Sequence, residues 1–333
     1  MKVQFIRRCK EPGCFSIERL FNSVVVELPP QFVAENIEMP WRSRGVLRRI
    51  CILLYLGALR RPGIYHVTGD IAFGALVLPQ QRTIVTVHDC YTLRRLSGWK
   101  RLIYGLIWFG LPLRRCAAVT AISAETKREL ISYYPELEHK IEVIPDCLPK
   151  GLEFVSKEFN RTEPCILQVG TRENKNAERV VRALRGLSCR LVLVGHVSPS
   201  LRALIEQAGL KWSALCDATD EEVFALYKEC DLVVFASLYE GFGLPIIEAQ
   251  AVGRPVVTSN AAPMNEVAGG AACLVNPLET ESIRAGILRV IQDEPYRREL
   301  IRAGVENAKR FAPAAVASAY AALYARVASS RRA

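Results

Sequence analysis

The 333 residues are half hydrophobic and carry a formal charge of +10, enough apolar material for a full core and for more than one domain. That balance excludes a disordered chain. The opening stretch MKVQFIRRCKEPGCFSIERLF interrupts its apolar residues with charges too often for a signal peptide or a spanning helix, so the expected location is the cytoplasm.

Eleven cysteines with no CxxC pair and no His/Cys cluster give no zinc site and read as small buried hydrophobes of a reducing compartment. The charge is lopsided: residues 1–150 hold 22 Lys and Arg against 13 Asp and Glu, the remainder 22 against 21. A one-sided basic field draws anionic partners, nucleic acid or the acidic face of a membrane, or is a solvated face with no partner. Nucleic acid is the weaker expectation, because no recognition motif or stacking platform accompanies the charge.

The first 30 residues contain one apolar run, Val24–Leu28, and a turn around Pro12 and Gly13. Arg7, Arg8 and Lys10 stand near that turn, placed either to meet a phosphate or to form an exposed basic face. Between Arg42 and Arg61 the run ICILLYLGAL is too short to cross a bilayer and predicts a buried helix. Ile64–Thr68 and Arg82–Val87 read as strands, the second delivering His88 and Asp89 to a strand end, where side chains of an open α/β sheet face the ligand crevice. His88 is either a site residue or part of a strand-end hydrogen-bond network, and Asp89 orients it, caps the next turn or faces solvent. His66 reads as structural.

Residues 94–115 place Trp99, Tyr104, Trp108 and Phe109 between Arg94, Arg95, Lys100, Arg101, Arg114 and Arg115. Aromatics with basic flanks suit either a segment lying on an anionic membrane or a core helix with basic ends. Residues 117–122 form a further strand, and Ser123 caps a helix to about Tyr133. The expected domains are 1–148, a linker over 149–161 rich in turn formers, 162–312, and a terminal helix over 313–333.

The second domain opens with the strand Cys165–Val169 and the turn GTRENKN. Its single glycine, Gly170, does not make a GxGxxG dinucleotide fingerprint, but Arg172, Lys175 and the following helix N-terminus suit a diphosphate. The alternative is a pair of exposed loop cations. Arg190–Val194 is a strand, and Thr219 to Glu222 is a capping box. Then comes the most informative stretch, VVFASLYEGFGLPIIEAQAVGRPVV: a strand, a turn at Gly241 and Gly243, a helix opening near Leu244 with Pro245 in its first turn, and a second strand. Glu240 and Glu248, before and inside that turn, are matched to vicinal hydroxyls of a sugar or ribose, or else cap the turn and face solvent.

Glu240-GFGLPII-Glu248, with EAQAVGRPVV and the later PMNEVAGGAACLVNP, resembles the donor-binding signature of retaining glycosyltransferases of family 4, closely over residues 163–311 and thinly over the first 80. The resemblance implies the GT-B fold, two facing Rossmann-like parallel-sheet domains with a cleft between them. It implies transfer of a sugar from a UDP- or GDP-sugar to a glycan or lipid-linked acceptor, with no metal or other cofactor, since no DxD motif is present. In this family the first glutamate contacts the transferred sugar and the second the ribose, roles that fall to Glu240 and Glu248, with Gly241, Phe242, Gly243, Leu244 and Gly170 around the donor. It further implies that Lys175, joined by Arg172, meets the diphosphate and that His88 stands beside the donor sugar. Gly13 is the one residue to stand for the family's glycine-rich loop on the acceptor side, where Asp89 also falls. Other readings are a non-catalytic sugar-nucleotide scaffold and a nucleotide-sugar epimerase of the same fold.

Overall fold

A computed structural model describes residues 1–9, 16–59 and 61–329. It divides into two compact units, Met1–Cys147 with Pro313–Ala333, and Leu148–Ala312.

In the first unit, β1 (Lys2–Arg7), β2 (Val33–Glu38), β3 (Ile64–Val67), β4 (Thr83–Val87), β5 (Ala118–Ala121) and β6 (Ile141–Val143) form a six-stranded sheet in the order β2-β1-β3-β4-β5-β6. Every neighbouring pair is parallel. Helices cover both faces of such a sheet, so its strands are apolar on both sides. β1 follows this rule in the charged opening stretch: Val3, Gln4, Phe5 and Ile6 are all buried. Val24–Leu28 is no strand, because it lies largely in the helix Ser16–Glu27, against which the terminal helix Pro313–Ser329 packs Val316, Tyr320 and Tyr324.

One expectation for this unit is corrected, and one pair of alternatives is decided at Trp108. The helix Val46–Ala58 buries only Ile52 and Leu56 fully and leaves Val46, Leu47, Ile50 and Leu54 exposed. Run length predicted burial, but a helix on one face of a sheet has a single stripe facing the core. Within 94–115, Trp108 is not a surface ring: it is 8% exposed, stacks on Tyr104 at 5.0 Å, lies 5.1 Å from Phe73 and is covered by the Arg49 guanidinium at 4.4 Å. Arg114 is tied to Glu136 at 2.8 Å.

His66 is structural. Its Nδ1 meets Tyr324 Oη at 2.8 Å and its Nε2 meets Thr86 Oγ1 at 2.7 Å. Both nitrogens are used in a fully buried site, so the ring has no room to be charged and solvated.

In the second unit, β7 (Cys165–Val169), β8 (Arg190–Val194), β9 (Lys211–Leu215), β10 (Leu232–Phe235), β11 (Val256–Ser259) and β12 (Cys273–Val275) form a parallel sheet in the order β12-β11-β10-β7-β8-β9. The turn-rich segment 149–161 is no loose connection. Buried Arg254 donates to Val155 O at 3.0 Å and to Tyr227 O at 3.1 Å, while Lys157 and the Asn160 and Cys165 N–H groups converge on the Asp231 carboxylate. Buried polar groups demand partners, and these bonds strap the segment to the sheet.

Burial holds the His66 imidazole down at about 3, with His88 adding to the effect. The unfolded chain therefore takes up a proton near 6.5 that the folded protein refuses, so this contribution is complete above about 6.5 and is lost as pH falls toward 3. The melting temperature of His66→Gln should consequently decline less steeply between those limits than that of the parent; parallel declines would contradict a neutral buried His66.

Candidate functional site

Strand order fixes where side chains can converge. In the second sheet the chain moves outward from β7 through β8 and β9, then returns to β10 on the other side of β7. The loops leaving the carboxyl ends of β7 and β10 diverge there, opening the crevice in which doubly wound sheets bind ligands.

The loop after β7 begins at Gly170, whose φ of 93° and close approach both require glycine, since a Cβ would lie 2.8 Å from Lys175 Cγ. Asn176 takes the left-handed conformation at φ 60° and its Nδ2 donates to Ala236 O at 2.9 Å and Pro277 O at 2.7 Å. Asn174 Nδ2 donates to Tyr239 O at 3.0 Å, and Leu238 N returns a bond to Asn174 O at 2.8 Å. The two loops are thus sewn together by asparagines. Lys175 Nζ lies 2.7 Å from Glu240 Oε1 and 4.8 Å from the Phe235 ring centroid.

Beside this pair Gly243, at φ 112°, ends the turn and the helix Leu244–Val252 begins, with Pro245 in its first turn. In its first turn Pro245 has no N–H and Ile246 N donates to Gly243 O at 3.0 Å, and the helix N-terminus carries partial positive charge. Arg172 is exposed at the start of the β7 loop, and Gly241 and Leu244 are half-buried beside the turn. Phe242 points inward, 5.5 Å from Phe311, and its ring is buried. Glu248 is 2% exposed and accepts a hydrogen bond from Tyr227 Oη at 2.8 Å. It is neither a turn cap nor a solvated helix residue.

The first sheet has its own switch point, between β1 and β3. There a crevice of about 220 Å³ is lined by Arg8, Asp70, His88, Asp89, Tyr91 and Tyr104, among others. Arg8 Nε is 2.8 Å from Glu18 Oε1. His88 Nε2 is 2.8 Å from Thr68 O; a carbonyl only accepts, so Nε2 carries the proton and Nδ1 is left as an acceptor. Burial lowers the His88 pKa, against the raising effects of the Thr68 carbonyl and Asp89, which keeps the ring neutral. Asp89 Oδ1 accepts from Tyr91 N at 2.9 Å, capping the short helix Tyr91–Arg95. Gly13 falls outside the described residues.

Asp70 was missed in the sequence. It sits two residues beyond Thr68, at the same kind of strand end that marks His88, but no apolar run announces it. Although exposed at the crevice mouth, its carboxyl is desolvated by the surrounding walls and repelled by Asp89, which raise it to about 6 against the opposing pull of Arg8 and Arg49.

The molecule is thus a pair of Rossmann-like units, each with a doubly wound parallel sheet and polar groups gathered at its switch point, and comparison with known proteins makes the class specific. The family model Glycosyl transferases group 1 matches residues 150–307, and Glycosyltransferase Family 4 matches residues 8–148. The chain belongs to this family, the family 4 glycosyltransferases of the GT-B fold. The serotype-specific mannosyltransferase WbdA of Escherichia coli is 29% identical over 221 residues, 59% of this chain and 27% of that protein. An MMP alpha-(1->4)-mannosyltransferase of Mycolicibacterium hassiacum is 38% identical over 251 residues, 68% of this chain and 60% of the relative. The matched region therefore spans less than two thirds of either. HepE of Anabaena, solved with UDP and glucose, superposes with a TM-score of 0.78 over 98% of this chain and all of its own at 18% identity, a likeness of fold.

Following the carboxyl resonances by NMR should place the Asp70 midpoint near 6, and Asp89→Asn should lower it by removing the repulsion while desolvation still holds it above the ordinary carboxylate range. A midpoint near 4 in the unaltered protein would contradict the crevice as described.

Proposed function

We propose that this protein is a retaining, metal-independent glycosyltransferase that moves a hexose from a UDP- or GDP-sugar to a glycan or lipid-linked acceptor in cell-surface polysaccharide assembly, on the cytoplasmic side of the membrane. The observation that carries this reading is the meeting of Lys175 and Glu240 beside the N-terminus of the helix Leu244–Val252. The mannosyltransferase relatives support the reading and favour mannose as the hexose.

A nucleoside diphosphate has its charge on the phosphates, hydroxyls on the ribose and hydroxyls on the sugar, and the second unit offers a counterpart to each. Lys175, Arg172 and the helix N–H groups suit the diphosphate. Glu240 is positioned to accept from sugar hydroxyls once the diphosphate shares Lys175. Glu248, which accepts from Tyr227 Oη, is the counterpart offered to the ribose hydroxyls. In the first unit His88 Nδ1 can accept a hydrogen bond from a sugar hydroxyl without taking its proton, and Asp70 suits hydroxyls when ionised.

Retention follows from front-face substitution. The acceptor oxygen bonds to the anomeric carbon on the face that the diphosphate leaves, the bond to the leaving oxygen breaks with its electron pair, and the acceptor proton passes to that phosphate. Charge grows on the diphosphate as the bond breaks, so Lys175 acts most strongly at the transition state.

Lys175→Ala should accordingly lower kcat by about a hundredfold while the melting temperature changes little, and equal turnover would place the diphosphate elsewhere. Glu248→Gln should act mainly on the donor KM; a change confined to kcat would contradict the ribose role.

A further inference from the structure

Glu248 stands on the helix Leu244–Val252, which leaves β10, and its carboxyl group meets a side chain from the helix Asp220–Glu229, which leads into β10. That side chain is Tyr227. It is the one buried residue of its helix, and its Oη donates to Glu248 Oε2 at 2.8 Å. Packing alone asks only for a ring at this position, and phenylalanine would fill it without bringing in a hydroxyl that has to be paired. The hydroxyl serves the carboxylate.

The two helices are tied to each other by one residue. The Arg254 backbone N–H donates to Ala249 O at 2.8 Å and so closes the helix of Glu248. Its buried guanidinium reaches the last turn of the other helix, Nε donating to Tyr227 O at 3.1 Å and Nη2 to Lys228 O at 2.9 Å. Ring and carboxylate are therefore held from behind by backbone contacts. A glutamate side chain has several rotatable bonds, and a hydrogen bond to one oxygen from a ring fixed in this way sets the direction in which the carboxyl group points.

We propose that Tyr227 is a positioning residue of the donor site, whose hydroxyl orients the Glu248 carboxylate toward the ribose and so sets the preference for a ribonucleotide. The proposal rests on the ribose role of Glu248 and deepens it, since Tyr227 acts through that carboxylate. A hydroxyl donates well to a carboxylate only over a limited range of directions, and without the phenol the carboxyl group would be free to turn away while losing a partner in a buried site. The consequence is confined to the ribose. Base and diphosphate are met by other groups, so their share of the affinity does not pass through Tyr227.

The test is calorimetric titration of the full chain with UDP and with GDP, each beside its 2′,3′-dideoxy analogue, which lacks both ribose hydroxyls. For the base that binds, the parent should prefer the ribose form by about tenfold or more, as hydrogen bonds to a charged group imply. Glu248→Ala should bind both forms alike. Tyr227→Phe should cut the preference to about threefold or less while binding the dideoxy form like the parent. A tyrosine that only supports the fold would weaken both forms equally and leave their ratio unchanged. Added to Glu248→Ala, Tyr227→Phe should not change the ratio further, as expected of two residues that act through one contact. Melting curves verify the folding of each variant. Should Tyr227→Phe alone not fold, the same change in a Glu248→Gln chain, whose buried amide carries no charge, gives the comparison: a ratio below that of Glu248→Gln itself supports the proposal, and an equal ratio overturns it. A parent that binds neither nucleotide, or binds both sugar forms equally, would remove the ribose role of Glu248 and the proposal with it. A preference lost in Glu248→Ala but kept in Tyr227→Phe would overturn the proposal alone and leave the ribose role standing.

Discussion

The constraint on which the rest depends is the parallel sheet buried on both faces. Such a sheet leaves no place for polar function within its strands, so functional groups gather at the carboxyl ends, and most closely where the winding reverses. Both sheets obey it. In the second unit the loops after β7 and β10 bring Lys175 to Glu240; in the first the loops after β1, β3 and β4 bring Arg8, Asp70 and His88 to one crevice.

The second site is held rigid by backbone carbonyls more than by charge. Asn174 and Asn176 spend their amides on carbonyls of the β10 loop and of Pro277, and Gly170 lets the Lys175 stem cross the strand end without a clash. A cation placed in this way is preorganised for an anion, while Glu240 holds it in the absence of one. On the proposed reading, exchange of that carboxylate for a diphosphate would leave Lys175 paired and free Glu240 for the sugar, so that one contact would prepare both ends of the donor site.

Much of this was legible in the sequence. The strands Cys165–Val169 and Arg190–Val194 stood out as apolar runs, and the glycine turn before Leu244 announced its helix. His88 was marked by the strand that delivers it. What could not be read depends on which way a residue faces. Run length alone does not tell the buried side of the helix Val46–Ala58 from its exposed side, and aromatics with basic flanks left Trp108 open between surface and core until Arg49 and Tyr104 were seen to enclose it. β1 was hidden because its flanking charges mask a strand of buried residues, and Asp70 because a single carboxylate after a strand has no spacing signature. The polar segment 149–161 looked like a linker, since nothing local shows that Arg254 and Asp231, far along the chain, hold it down.

The central claim is that the corner formed by the β7 and β10 loops binds a nucleoside-diphosphate sugar. The direct measurement is the melting temperature of the purified protein against UDP-, GDP- and ADP-sugars, because a ligand that binds only the folded state raises it. The account predicts that one nucleotide class raises the transition and that Glu248→Ala or Lys175→Ala removes the rise. An undiminished rise in both variants would contradict it, as would no rise with any nucleotide.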